Sequence, residues 1–263
     1  MEVITLFKDA LKYPMKGWNK LLILGVLILI SRVDKVIISF GIHINSISTL
    51  LAVTIIFGLI ALIMSFFLSG YSLSIIKKTI NLENDMPEFE WVKNLVDGIK
   101  RFVLNIVYLI IPFIITFILA YVTGTLGFLI QIVNNYLTSG LTTTLQSILN
   151  SAPNFPIVLL VGEILFIIFF LLLYIATARL AETDSLVEAI NMINVIKKIG
   201  EIGWGNYIIW LIVIVIIGFV IMIIMNIVRI IPFIGIIIGF LLISPYMLMF
   251  YSRTLGLLYN ESK

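Results

Sequence analysis

No residue between Arg101 and Glu163 carries a charge, a run of 61 uncharged positions from 102 to 162. Water-soluble domains are about a quarter charged and about 45–50% apolar, whereas this chain of 263 residues is 12% charged and 61% apolar. In hydrocarbon every backbone N–H and C=O must be paired inside the segment, so apolar runs of this length can only be helices. The sequence therefore describes an all-α, polytopic membrane protein, and it excludes a disordered, collagenous or disulfide-stapled chain. The lack of cysteine removes thiolate catalysis, iron–sulfur ligation and cysteine-bearing zinc sites. One histidine, His43, cannot build a histidine metal cluster. A net charge of +3 suits basic loops at a membrane, not a nucleic-acid-binding face.

A bilayer core of about 30 Å takes roughly 20 apolar residues in a helix. On that rule spans are expected at 18–38, 50–76, 102–122, 157–178, 207–228 and 231–252. Six spans place both termini on one side. Of the 17 Lys and Arg residues, all but Arg32, Lys35 and Arg229 fall on the side of the termini. That bias predicts cytoplasmic termini. Trp18, Trp91, Trp204 and Trp210 are expected at the same inner interface, where amphipathic rings settle. Residues 1–30 imitate a signal peptide, but Arg32, Asp34 and Lys35 stand where a small-residue cleavage site belongs, so the segment reads as a retained first span. The stretch 123–156, with Leu137, Leu141, Leu145 and Leu149 at four-residue intervals, reads as an uncharged amphipathic excursion on the outer face.

A pentapeptide recurs on the inner side: Phe7-Lys8-Asp9-Ala10-Leu11, Leu95-Val96-Asp97-Gly98-Ile99 and Leu186-Val187-Glu188-Ala189-Ile190. Each copy precedes two spans. Within one transmembrane domain, 1–263, this predicts three repeats, 3–76, 89–180 and 184–256, each an amphipathic cytoplasmic helix followed by an out-and-back hairpin. The most distinctive stretch lies in the centre: Gly70-Tyr71, Lys77-Lys78, Pro87-Glu88-Phe89-Glu90-Trp91 and Asp97-Gly98. It resembles an archaeal family of multi-pass membrane proteins known as domain of unknown function 4013. That family more often has two acids between the Phe and the Trp and a Leu before the Pro, where this chain has Glu90 alone and Met86. The resemblance implies a plasma-membrane protein and carries no activity.

Ionisable groups inside spans are costly and are functional candidates by default. Glu163 and Arg32 are expected at similar depth in the outer half, with Arg229 and Asn226 near the outer mouth. They form either a structural ion pair or a polar site for an ion or small anion. The acids of the inner linker, Glu83, Asp85, Glu88, Glu90 and Asp97, lack the spacing of a calcium loop and read as a solvated strip facing Lys77, Lys78, Lys100 and Arg101. Pro87, Phe89 and Trp91 would dock that strip on the bilayer or the bundle. No nucleophile elbow, zinc-protease helix or phosphate-cradling loop occurs in the sequence. The expectation is a non-catalytic protein without cofactor or metal that organises membrane lipids or docks a partner, itself or another membrane protein. The alternative is an oligomeric transporter or channel-like module for an ion or small solute.

Overall fold

The computed structural model describes residues 3–33, 47–139, 152–231 and 234–261, and the described part is helical. Helix α1 (Val3–Lys12) runs through a single 3-10 turn, Tyr13–Lys16, into α2 (Trp18–Ser31). Then come α3 (Ile47–Ile80), α4 (Trp91–Val122), α5 (Thr125–Ser139), α6 (Phe155–Thr183), α7 (Leu186–Ile190), α8 (Met192–Ile202), α9 (Trp204–Val228) and α10 (Ile234–Asn260). Five of these, α3, α4, α6, α9 and α10, are long and apolar enough to cross a bilayer; a sixth span results if α1 and α2, bent by 84°, count as one.

The helix ends follow local chemistry. Ser185 and Asn191 cap α7 and α8 by accepting from the backbone N–H three residues on. Asp184, at φ 58, takes the left-handed conformation that stops α6. Helix α2 ends at Ser31, whose hydroxyl donates to the Ile28 carbonyl, and Arg32 leaves the helix at φ −120; residues 34–38 of the expected span 18–38 lie outside the described residues. In the second predicted repeat the amphipathic segment and the span are one unbroken helix, α4. The excursion is helical over Thr125–Ser139, while Leu141, Leu145 and Leu149 lie outside the described residues, as do Asp34, Lys35 and His43.

Residues 1–103 and 175–263 form one compact unit, and 104–174, the remainder of α4 with α5 and most of α6, form another. In the first unit, burial concentrates at the charged end. There Tyr13, Leu21, Leu24, Tyr71, Ile75, Met86 and Met249 make a common core, joined by Phe89 and Tyr246. Trp210 is 1% exposed and stacks on Tyr207, so its ring is packed in the core. Trp18, Trp91 and Trp204 are at least half exposed.

Candidate functional site

The charged end of the first unit is organised around Arg253, which is 3% exposed. Its Nε donates to Asp9 Oδ1 of α1 at 2.8 Å, Nη1 to the Glu83 carbonyl at 2.9 Å, and Nη2 to Asn84 Oδ1 at 2.7 Å. The guanidinium lies over the Tyr13 ring, 4.9 Å from its centre. One side chain thus ties α10 to α1 and to the linker after α3. Only arginine presents enough donors in a fixed fork for that.

The linker 81–90 is clamped as well. Tyr71 donates to the Pro87 carbonyl at 3.0 Å, and Lys20 reaches both the Met86 carbonyl, 3.0 Å, and Glu88, 2.6 Å. Phe89 stacks on Tyr71 at 4.6 Å, and Trp91 stacks on Phe67 at 4.5 Å. Beneath this stack α3 and α4 touch backbone to backbone. A Cβ on Gly70 would stand 1.7 Å from the Asn94 carbonyl oxygen, and one on Gly98 1.8 Å from that of Phe66. Gly70, Tyr71, Pro87, Glu88, Phe89, Trp91 and Gly98 are therefore one assembly: two glycines permit the crossing, and the aromatics and Lys20 pin the linker across it. Pro87, Phe89 and Trp91 dock the strip on the bundle, as one of the two sequence alternatives had it.

Beside the clamp lies a cleft of about 180 Å³ lined by Lys77, Lys78, Lys93, Glu83, Glu90, Asp97 and Asp184. Each carboxylate is matched: Glu83 with Lys78 at 3.0 Å, Glu90 with Lys93 at 3.3 Å, and both Asp97, 3.2 Å, and Asp184, 2.5 Å, with Lys100. The linker acids Glu83, Asp85, Glu88 and Glu90 are exposed, and Lys78 and Lys100 face the acids as expected; Arg101 also donates to Ser72, which is hydrogen-bonded to Ser252. Among the described residues no group of three or more His, Cys, Asp or Glu is arranged to hold a metal. A second tie resembles that of Arg253: Arg179 Nη2 meets Glu188 Oε2 at 2.7 Å, and its Nε meets the Glu188 carbonyl at 3.0 Å.

These pairs set a pH dependence. The hydrogen bond from Lys100 holds Asp184 below the ordinary carboxylate range; Lys20 does the same for Glu88 and Arg179 for Glu188. A depressed folded-state pKa stabilises the fold above the unfolded value and loses that contribution as the pH falls through the folded value. The unfolding temperature in detergent should hold from neutral pH down to the ordinary carboxylate pKa values, 4.5 for Glu and 3.8 for Asp, and fall below them. A melting temperature still constant two units lower would mean that the pairs contribute nothing.

The intramembrane candidates are distributed differently. Arg32 caps α2 and Arg229 caps α9, both exposed, and Asn226 donates back to the Met222 carbonyl of its own helix at 2.9 Å. Glu163 belongs to the other unit, where it lines a cleft of about 530 Å³ with Phe113, Thr116, Phe117, Phe155 and Phe166. Sequence reading missed Arg253 as a site residue. It counted only as a positive charge, and its partner Asp9 lies 244 positions away.

The family model described as "Protein of unknown function (DUF4013)" matches residues 53–230. The chain belongs to this family. The DUF4013 match takes in the crossing and the aromatic part of the clamp, from Phe66 to Gly98, and leaves out Lys20, Asp9 and Arg253. Comparison with curated proteins and with solved structures gives no significant match.

Proposed function

We propose that this chain is a non-catalytic membrane protein that organises anionic lipid at its charged end. The observation that carries the reading is the outer surface of α1. Its inner face, with Leu6, Phe7 and Ala10, is buried, as is Tyr13 of the turn that follows, and this segment turns by 84° into α2. If α2 crosses the bilayer, α1 lies along its surface. On the outside Lys8, Lys12 and Lys16 follow at four-residue intervals beside exposed Ile4, Leu11, Met15 and Trp18. None of the three lysines forms an ion pair with a described residue. Basic residues beside an apolar stripe are the pattern of an interfacial helix. Helix α8 has a smaller version, with Ile193, Ile196 and Lys197 exposed.

The reading places both termini in the cytoplasm of a cell with a plasma membrane of anionic leaflet charge. The Arg253–Asp9 contact supports one side for both, since it joins the last helix to the first. It also includes the three repeats. Arg253 near the end of one hairpin holds the acid of one pentapeptide, Asp9, and Arg179 near the end of another holds Glu188. The two pairings are equivalent under the repeat.

Each lysine near an anionic surface contributes about 1 kcal/mol. Phosphatidylglycerol added to the detergent-purified chain should raise its melting temperature more than phosphatidylcholine does. In a Lys8→Gln/Lys12→Gln/Lys16→Gln variant most of that difference should vanish. Equal responses of variant and wild type would end the lipid reading. The alternative, a transporter or channel-like module, draws on one observation, the carboxylate of Glu163 in an apolar cleft.

A further inference from the structure

Glu163 is the only charged residue between positions 104 and 174, so its unit contains no cation to neutralise it. The side chain is exposed, on a helix whose flanking turns are apolar, and at about 1.5 Å per residue it sits roughly 12 Å into α6 from Phe155. It opens into the cleft of about 530 Å³, a size within the range of small-molecule sites. The cleft is built, since Gly162 brings α6 against Thr116 of α4: a Cβ there would meet Thr116 Cγ2 at 2.8 Å. The Thr116 hydroxyl is spent on the Pro112 carbonyl at 2.7 Å and that of Thr125 is hydrogen-bonded to Thr123 at 2.9 Å, which leaves Glu163 as the charged group addressing the space. The rest of the wall includes the rings of Phe113, Phe117, Phe155 and Phe166.

Within its own unit Glu163 has no counter-charge, and a carboxylate left unpaired in low dielectric is strongly unfavourable. Its natural complement is a cation, and the walls decide which kind. A hydrated metal ion or a compact ammonium would face apolar surface on nearly all sides. A cation with apolar arms would fill that surface, offer its charge to Glu163, and set its positive centre against aromatic faces. We infer that the cleft between α4 and α6 binds a lipophilic monovalent cation, an ammonium or phosphonium carrying apolar substituents, with Glu163 as its counter-ion. The inference goes beyond the lipid reading and is independent of it, because none of these residues belongs to α1.

Tetraphenylphosphonium is a suitable probe, and tetraphenylborate has the same shape with opposite charge. Titrated calorimetrically into the full chain in neutral detergent, the phosphonium should bind saturably and the borate should not. Glu163→Gln should weaken phosphonium binding by about tenfold or more, which corresponds to about 1.4 kcal/mol. Glu163→Asp should retain part of the affinity, and Phe117→Ala should lose some of it. A measurement on the unaltered protein guards against a variant that fails to fold: dicyclohexylcarbodiimide should modify Glu163, located by peptide mass, and the phosphonium should slow that modification while the borate does not. Equal binding of both probes, equal affinity in wild type and Glu163→Gln, or labelling unaffected by the phosphonium would each overturn the inference. A failure here with a positive result for the α1 lysines leaves the lipid reading standing.

Discussion

Arg253→Met should be among the most destabilising single substitutions in the chain. Removing one partner from a buried ion pair costs about 3–5 kcal/mol, because the other partner stays charged and unmatched. Here the value should be near the lower end, since Asp9 keeps 40% of its side chain in contact with solvent. The loss extends beyond Asp9: the Glu83 carbonyl and Asn84 Oδ1 each lose the donor they now have at 2.9 and 2.7 Å. Thermal unfolding of the detergent-purified protein reads the effect. Arg253→Lys preserves charge but not the fork, so it should recover only part of the stability. Adding Asp9→Leu to Arg253→Met should cost less than the two single substitutions summed, because they remove one interaction between them. A lysine variant as stable as wild type would show that the charge alone matters and that the geometry around Arg253 is incidental.

Gly70→Val and Gly98→Val should each abolish a monodisperse folded protein. Both Cβ positions fall under 2 Å from a backbone oxygen, 1.7 Å at Gly70 and 1.8 Å at Gly98, and backbone cannot give way as a side chain can. Overpacking a well-packed core costs about 1–3 kcal/mol and more where the backbone must move. Here α3 and α4 would have to separate, and the Phe67, Tyr71, Phe89 and Trp91 stack would open with them. Even alanine carries the offending Cβ, so Gly70→Ala and Gly98→Ala should be unstable as well. Their double variant should be little worse than either alone, since one forced separation relieves both clashes. Gly58 and Gly127 provide the opposite expectation. Nothing lies within 4 Å of a Cβ at either position, and alanine in a helix interior is favoured over glycine by about 1 kcal/mol. Gly58→Ala and Gly127→Ala should fold at least as well as the parent. Size-exclusion profiles and melting curves of the four alanine variants would expose any failure of this contrast.

The helical class and the number of spanning candidates were legible because both depend on local arithmetic. A segment either contains enough apolar residues to cross hydrocarbon or it does not, and backbone hydrogen bonding inside a helix needs no distant partner. The same locality let Gly70, Tyr71, Pro87, Phe89, Trp91 and Gly98 be recognised as one pattern, although not as a crossing and its clamp. Where α2 ends was harder to read. The apolar run resumes after Ser31 and hides the break, which shows only in the backbone of Arg32 at φ −120.

What only the tertiary structure decided was who meets whom. A charge on a helix is visible in a sequence; its counter-ion is not, because Arg253 and Asp9 come together across 244 positions. Trp210 shows the same limit, since interfacial and buried tryptophans are alike in composition and only the packing of Tyr207 and the surrounding helices buries this one. So the sequence by itself determined that the chain forms long apolar helices, that its positive charges gather toward one end, and that one acid, Glu163, stands alone in a long uncharged stretch. Tertiary packing decided that Arg253, Arg179, Lys20, Lys78, Lys93 and Lys100 each meet an acid in a fixed pair, and that Glu163 opens onto an aromatic-walled cleft. The physical reason is range: secondary structure and span length are set within about 20 consecutive residues, whereas pairing and burial depend on groups that only folding brings within a few ångströms.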